Sequence, residues 1–353
     1  MSTISVCLIV KDESLVLDRC LLCVSKFADE IIVVDTGSTD NTVDIAHKYT
    51  SKVYSVAWQN DFAYARNISF SYATSDYIMW IDADDVITDE NINKLQQLKE
   101  NMTADMYMMR YNVGFDGDVV TSSFYREHIM KRAKGYTWHG CVHECITPSG
   151  NIEYLDIAIN HIKLKQYDKD RNINIYESIK KNRELDVRET YYYARELYYH
   201  ARYKQCIHTM RKFFRMNGFV ENIIDGHIVV ANCYIMLHQF NSALHELYIT
   251  FDYDTPRANV CCMIADMHVH YKNYNLALYW YNLATKCAVV DKKGGFVQND
   301  CYNYYPYIQM CVCYYNLNNL QKAIECNELA GQYKPNDKAY LSNKAYFEKL
   351  TKV

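Results

Sequence analysis

The chain of 353 residues is long enough for two domains, each with its own hydrophobic core. Half of the residues are apolar, which is typical of a globular protein, and the formal net charge of −4 argues against a nucleic-acid partner. No apolar run approaches ~20 residues and no export signal stands at the start, so we expect a cytoplasmic protein without a transmembrane segment, whose 14 cysteines stay reduced.

The first hundred residues alternate between strand patterns and helix patterns. Short β-branched apolar runs predict strands at 4–10, 30–35, 52–58 and 76–82. Apolar residues at helical spacing predict helices within 13–27, 36–50 and 60–74. This alternation is typical of a parallel sheet that is covered on both faces, and ligands bind such sheets beyond the carboxyl ends of the strands.

Charged residues follow three of these strands, at 11–13, at Asp35 and at 82–85. Three carboxylates within the four positions 82–85 repel one another, and a divalent cation among them would offset the repulsion. Oxygen ligands suit Mg²⁺ or Mn²⁺. Alternatively, Asp84, Asp85 and Asp89 stabilise the N-terminus of a helix predicted for 88–100, through its dipole.

Five segments together resemble the family 2 glycosyltransferases of the GT-A fold. In the bacterial-type branch that they resemble most, tetratricopeptide repeats follow the catalytic domain. The resemblance covers about half of the chain and implies metal-dependent transfer, with inversion, from a nucleotide sugar, for which we expect a UDP-sugar. The segments are SVCLIVKDE, IIVVDTGSTDNT, WQNDFAYARN, YIMWIDADD and YTWHGCVHECI.

The resemblance implies a nucleotide-sugar site. Asp84 would be the main ligand of Mn²⁺ or Mg²⁺, and Asp82 would face the ribose or the metal. The chain departs from much of the family at Thr36, where a second aspartate often contacts the pyrimidine. The residues implied in nucleotide-sugar binding are Val10, Lys11, Glu13, Asp35, Thr36, Arg66, Asp82, Ala83 and Asp84.

Arg66 would approach the diphosphate; the alternative is an arginine on a helix surface, paired with Asp61. His161 ends a strand and is a candidate third metal ligand, since a late histidine completes the metal site in some GT-A enzymes. The branch often continues this histidine as H-x-G-Y, whereas this chain reads His-Ile-Lys. The metal role of His161 is therefore an expectation from the resemblance.

An inverting transfer requires a general base on the side of the acceptor. Glu144, in the segment HGCVHE, matches the family's His-Glu pair and is the predicted base. His143 is the next candidate, and Asp156 is a third. From the residues alone, His139 and His143 also fit an alternating strand with one buried face.

The second half of the chain carries a repeat. Strand patterns end at Lys165, and a polar helical linker is predicted for 166–188. Four segments beyond it carry small residues twelve positions apart, with a large residue nine positions after the first, as in tetratricopeptide helix pairs. The small pairs are Ala194/Cys206, Ala231/Ala243, Ala265/Ala277 and Cys311/Ala323, and the large residues are Tyr203, Phe240, Tyr274 and Leu320.

The resemblance implies a GT-A catalytic domain at 1–165, and the linker follows it. The repeat pattern predicts an all-α tetratricopeptide-like solenoid at 189–353, with an insertion at 289–300 between the last two repeats. The predicted protein is a glycosyltransferase of the hexosyltransferase type. Its acceptor would be a protein or peptide held by the repeats, or a glycan if it serves cell-surface glycan or glycolipid assembly. The alternative role of the repeats, implied by the resemblance, is to form a homodimer. The alternative from another class of function is a non-catalytic tetratricopeptide scaffold with a degenerate GT-A domain. The intact motifs favour the glycosyltransferase over this scaffold.

Overall fold

The computed structural model describes residues 1–164, 168–290 and 297–351. The chain divides into two compact units, Met1–Leu185 and Asp186–Val353. The first unit is α/β and the second is built from helices, as the sequence predicts. The finer domain limits stay a prediction. The limit at 165/166 and the centre of the predicted insertion, 291–296, lie outside the described residues.

The strands of the first unit form one mixed sheet. They are β1 (Ile4–Val10), β2 (Glu30–Asp35), β3 (Val53–Ser55), β4 (Tyr77–Trp80), β5 (Asp85–Val86), β6 (Met106–Asp116), β7 (Val119–Lys131) and β8 (Ile152–His161). Their order is β3-β2-β1-β4-β7-β6-β8-β5. The parallel sheet that we predicted is confirmed for β1 to β4. Beyond β4 the sheet continues with the antiparallel strand β7, and the long β6–β7 hairpin was not predicted.

The α-helices in the described part of this unit are α1 (Leu17–Val24), α2 (Thr42–His47), α3 (Phe62–Ser71), α4 (Asp89–Leu98) and α5 (Arg171–Asn182). The helix α1 forms because Leu17, Leu21 and Val24 recur at helical spacing, and these side chains are buried in the core against the sheet. The first three helices alternate with the parallel strands and connect them, as the strand–helix alternation predicts.

The starts of α3 and α4 bear on two alternatives from the sequence, the pairing of Arg66 with Asp61 and the acidic N-terminus of the helix predicted for 88–100. The Asp61 carboxylate accepts a hydrogen bond from the backbone amide of Tyr64, so it caps α3 and is not the partner of Arg66. The helix α4 begins at Asp89, after the cap residue Thr88. Asp89 lies in the first turn of α4, where it favours the helix dipole as the alternative interpretation expects, whereas Asp84 and Asp85 precede the helix.

The second unit is a row of helices in which each helix packs on the next. The paired small residues of the four repeats are all buried, and the large residue begins the second helix of each pair, as predicted. Small side chains let the paired helices approach closely. The elements are α6 (Val187–Tyr199), α7 (Tyr203–Phe214), α8 (Val220–Met236), α9 (Phe240–Ile249), α10 (Ala258–His270), α11 (Tyr274–Ala284), β9 (Val297–Gln298), α12 (Tyr304–Asn316), α13 (Leu320–Tyr333) and α14 (Lys338–Thr351).

Within residues 1–164, 168–290 and 297–351, no helix is both long enough and apolar enough to cross a lipid bilayer.

Glu30, at the start of β2, connects several segments of the first unit. Its carboxylate accepts hydrogen bonds from the amide and the hydroxyl of Thr74, both at 2.8 Å, and also from Ser5 and Lys52. Burial acts to raise the pKa of Glu30, but the bonds from Lys52, Ser5 and Thr74 outweigh it and lower this pKa to about 2. The charged carboxylate therefore stabilises the folded state.

We expect Glu30→Gln to lower the free energy of unfolding at pH 7 by about 2 kcal/mol, because hydrogen bonds to a charged group are lost. An unfolded glutamate has a pKa of about 4.3, above the folded value, so this stabilisation is present above about pH 4.3 and is lost as the pH falls towards 2. Urea unfolding at pH 7 and pH 3 measures both effects. The exposed Glu100→Gln is the control, and an equal loss in both variants would contradict the assignment.

Candidate active site

The loops after β1 and β2 meet at the carboxyl edge of the sheet. Val10 pairs with Asp35, so the two strands end side by side. The buried Asp35 carboxylate accepts hydrogen bonds from the amides of Gly37 and Ser38, each at 3.1 Å. The amide of Asp12, a residue in the left-handed region with φ 52°, donates to the Ser38 hydroxyl at 2.8 Å. The two loops thus form one wall of the site.

The other residues predicted for nucleotide binding on these loops have structural contacts as well. The amide and the hydroxyl of Thr36 donate to the Val10 carbonyl at 2.9 and 3.0 Å. Glu13 is buried, and its amide donates to the Thr42 hydroxyl at 2.7 Å. Lys11 is exposed. The structure brings these residues to one edge, and their contact with a nucleotide stays a prediction.

A cluster of three ligand-type side chains lies at the ends of β4 and β8. One oxygen of Asp82, one oxygen of Asp84 and one ring nitrogen of His161 all lie within 4.8 Å of one another. The pairing of Asp85 with His161 brings the end of β8 to the acidic turn after β4. The three residues that we predicted as metal ligands are therefore brought together, although they are up to 79 positions apart in the chain.

Two further buried side chains orient His161. Its Nδ1 lies 2.9 Å from an Asp85 oxygen and 2.9 Å from the Tyr111 hydroxyl, which itself donates to Asp85 at 2.9 Å. Burial raises the pKa of Asp85 to about 6, against the effect of the His161 bond. Burial acts to lower the pKa of His161, but the bond to Asp85 and the charge of Asp84 outweigh it and raise this pKa. Such partners hold a ligand histidine in one orientation.

Arg66 joins this cluster to the predicted base. Its Nη2 donates to Asp82 at 2.7 Å and its Nε donates to Glu144 at 2.7 Å. The guanidinium carbon lies 5.0 Å from the centre of the Trp80 ring and 4.8 Å from that of Trp138. Burial acts to lower the pKa of Arg66, but the charges of the two carboxylates outweigh it and raise this pKa. The expected alternative, an arginine on the helix surface, is wrong because Arg66 is only 6% exposed.

Glu144 lies on a loop with two left-handed residues, Gly140 at φ 94° and His143 at φ 54°. The alternating strand considered for this segment is limited to a single bridge, in which the amides of His139 and Cys145 donate to each other's carbonyls at 2.9 and 3.0 Å. The strand interpretation is therefore wrong. His143 and Glu144 both stay candidate bases, and Glu144 accepts the hydrogen bond from Arg66.

Asp156, the third base candidate, lies on β8 with a fully exposed side chain. Its carboxylate pairs with Lys94 of α4 at 3.0 Å. Asp156 therefore forms a surface ion pair, and this contact does not support a role as the general base.

The strand β7 contributes residues that sequence reasoning missed. The guanidinium carbon of Arg126 lies 5.0 Å from the centre of the Trp80 ring. Burial acts to raise the pKa of Asp82, but the charges of Arg66, His161 and Arg126 help to lower it below its ordinary value. His128 stacks on Trp80 where the pairing of β7 with β6 is irregular. Nothing in the sequence of β7 signals that irregularity or the proximity to Asp82.

Comparisons with known proteins show what the chain is similar to. The sequence model of Glycosyl transferase family 2 matches residues 5–149. The SPbeta prophage-derived glycosyltransferase SunS of Bacillus subtilis is 29% identical over 274 residues, which cover 70% of this chain and 62% of SunS. A TPR repeat-containing protein of Synechococcus elongatus is 45% identical over 85 residues, which cover 24% of this chain and 21% of that protein. This chain thus spans less than two thirds of the length of either relative.

Among solved structures, S. aureus TarS (residues 1–349) in complex with UDP-GlcNAc is 16% identical, with a TM-score of 0.37 over 80% of this chain and 90% of that chain. At that TM-score the likeness carries no weight for fold or ligand. The family match confirms the resemblance carried by the sequence motifs. Residues 5–149 of the N-terminal unit thus match the family 2 glycosyltransferases, and helix pairs with the predicted small and large residues follow in the second unit.

Proposed function

We propose that the protein is a metal-dependent glycosyltransferase, which transfers a sugar with inversion from a UDP-sugar to an acceptor. The observation that carries the proposal is the group of Asp82, Asp84 and His161 at the strand ends, joined to Glu144 through the Arg66 guanidinium. The family 2 domain and the similarity to the glycosyltransferase SunS support it.

The donor set fits a divalent cation. Two carboxylate oxygens and one imidazole nitrogen are hard or intermediate ligands of the kind that Mn²⁺ and Mg²⁺ accept, and Mn²⁺ tolerates the nitrogen better. The hydrogen bonds of His161 to Asp85 and Tyr111 orient the imidazole for this role. When bound, the cation would stabilise the negative charge that develops on the leaving diphosphate.

The proposed reaction is a single in-line displacement. The bond from the anomeric carbon to the diphosphate oxygen breaks as a bond from the acceptor to that carbon forms, and the nucleoside diphosphate leaves with the electron pair. Glu144 takes the proton of the acceptor group. Arg66 holds Glu144 in place, and its positive charge also lies beside Asp82, where we propose that it faces the diphosphate.

Asp84→Ala should abolish nucleotide release from UDP-sugars while the fold is kept. The substitution removes a cation ligand at the rim of the sheet, and we expect turnover to fall by about a thousandfold, as for other lost electrostatic stabilisers of a transition state. The assay measures free nucleotide from a panel of nucleotide sugars with Mn²⁺, with and without EDTA. Asp116→Ala, at the end of β6, is the control carboxylate. Turnover of Asp84→Ala near that of the parent with Mn²⁺ would refute the metal site.

Glu144→Gln should keep donor binding and lose transfer. The amide preserves the shape of the side chain but cannot take a proton, and positioned bases contribute about a hundredfold or more. Calorimetric titration with UDP and Mn²⁺ checks binding, and kcat checks transfer. If Glu144→Gln matches the parent while His143→Ala is inactive, His143 is the base.

For the acceptor, we propose a protein or peptide held by the repeats. Successive helix pairs suit an extended chain, because they offer many weak contacts along a row. Exposed aromatic side chains on these helices, a residue type that is common at protein interfaces, support the proposal. They include Tyr199, Tyr248 and Tyr279, and Tyr271 is exposed directly after α10.

The full-length protein, incubated with radiolabelled UDP-sugar and an extract of its own cells, should label a polypeptide band that protease removes. Asp84→Ala is the matched control and should label nothing. Label found only in free saccharide or in lipid extracts would contradict the peptide acceptor and would favour glycan or glycolipid assembly.

A further inference from the structure

The loop 139–145, which carries Glu144, is held on one side by α3. The amide of Phe62 donates to the carbonyl of Cys141 at 2.9 Å. Just before the loop, Asn67 and Trp138 exchange two hydrogen bonds: the Asn67 amide group donates to the Trp138 carbonyl at 3.0 Å, and the Trp138 amide donates to the Asn67 side-chain oxygen at 2.8 Å. The helix that presents Arg66 to Glu144 therefore also anchors the backbone around it.

The helix α5 holds the same loop through a different group. Tyr176 is completely buried, and its hydroxyl donates to the carbonyl of Val142 at 3.2 Å. Nearby, the guanidinium carbon of Arg171 lies 4.7 Å from the centre of the Phe62 ring. This helix lies in the segment that the sequence predicts as a linker, yet it packs within the first unit, which extends to Leu185.

The loop needs such support because of its backbone. His143 has a φ of 54°, a conformation that costs a residue with a Cβ atom about 1 kcal/mol. Strained residues of this kind persist where the surrounding contacts determine them. The carbonyl that Tyr176 binds belongs to Val142, which immediately precedes His143 and lies two positions before Glu144.

We propose that Tyr176 is a positioning residue for Glu144, and that α5 is an integral part of the catalytic unit. The hydroxyl of Tyr176 fixes the Val142 carbonyl, which fixes the turn at His143 and so keeps the Glu144 carboxylate at Arg66. The proposal rests on the proposed function insofar as Glu144 is the base. Its structural half, that Tyr176 orders the loop, is independent of any activity.

Tyr176→Phe in the full-length protein removes one hydroxyl and keeps the buried ring. We expect kcat to fall by about tenfold, the factor that one well-placed hydrogen bond provides, while KM for the UDP-sugar stays within twofold. Tyr191→Phe is the matched control, because Tyr191 is a buried tyrosine of the second unit whose hydroxyl donates to Asp225 at 2.6 Å. It should keep the parental kcat.

A double-mutant cycle separates positioning from general damage. If Tyr176 acts through Glu144, adding Tyr176→Phe to Glu144→Gln should change the residual rate by less than twofold. A full tenfold further loss in that background would overturn the proposal, and so would a kcat of Tyr176→Phe equal to that of the parent.

Amide hydrogen exchange tests the structural half without activity. Exchange at residues 139–145 should rise at least severalfold in Tyr176→Phe and not in Tyr191→Phe, with the melting temperatures of the two variants similar. Unchanged exchange in this loop would refute the role of Tyr176. If the exchange rises but the parent releases no nucleotide from any sugar donor, the proposed function fails and the ordering of the loop stands.

Discussion

Arg66 lies buried between two carboxylates that come from distant parts of the chain, Asp82 after β4 and Glu144 on the loop 139–145. Burying a guanidinium is costly, and this cost is offset only while both partners are in place. Removing one partner of a buried ion pair typically costs about 3–5 kcal/mol. The bridge therefore fixes the distance between the end of the site that carries Asp82, Asp84 and His161 and the proposed base.

Charge balance explains why the acidic turn is tolerated. The carboxylates of Asp82, Asp84, Asp85 and Glu144 lie at the site, and Arg66 pairs with those of Asp82 and Glu144. The buried Asp85 is relieved in part by its raised pKa and by its contact with His161. His161 and Arg126 also act on Asp82, and we propose that a divalent cation between Asp82, Asp84 and His161 offsets the charge that remains. On this proposal, three carboxylates can lie together at 82–85 because positive charge beside them offsets their repulsion.

The supporting residues around this centre come from elements without a motif of their own. The hydroxyl of Tyr111, on β6, orients His161, and that of Tyr176, on α5, holds the backbone before Glu144. Arg126 adds a positive charge near Asp82 from β7. A ligand or a base is useful only when such neighbours restrict its orientation. The site therefore depends on the whole first unit, including the helix that follows His161.

Sequence reasoning succeeded where the signal is local. The apolar runs of β1, β2 and β4 and the small residues Ala231/Ala243 of a helix pair each reflect one strand or one close helix contact, and the structure confirms them. The grouping of Asp82, Asp84 and His161 was reached through the family motifs, because no spacing in the chain reveals a contact across 79 positions.

The contacts that the sequence did not predict depend on how distant parts of the chain come together. Tyr111 lies in an apolar run that reads as core, and its contact with Asp85 depends on how β6 lies between β7 and β8. Arg66 was expected near the diphosphate or on a helix surface, and its bridge between two carboxylates depends on the loop 139–145 folding over α3. Tyr176 lies in a segment that is polar enough to read as a linker, although its ring is completely buried.

The most direct test of the proposed metal-dependent active site is anomalous diffraction from crystals of the protein grown with Mn²⁺ and UDP, recorded at the manganese edge. The arrangement of the side chains predicts one strong peak bonded to Asp84 and His161 and close to Asp82, with the diphosphate beside it and with Arg66 still in contact with Glu144. A UDP molecule bound elsewhere, or Mn²⁺ absent from these three residues while UDP is bound at the strand ends, would contradict it.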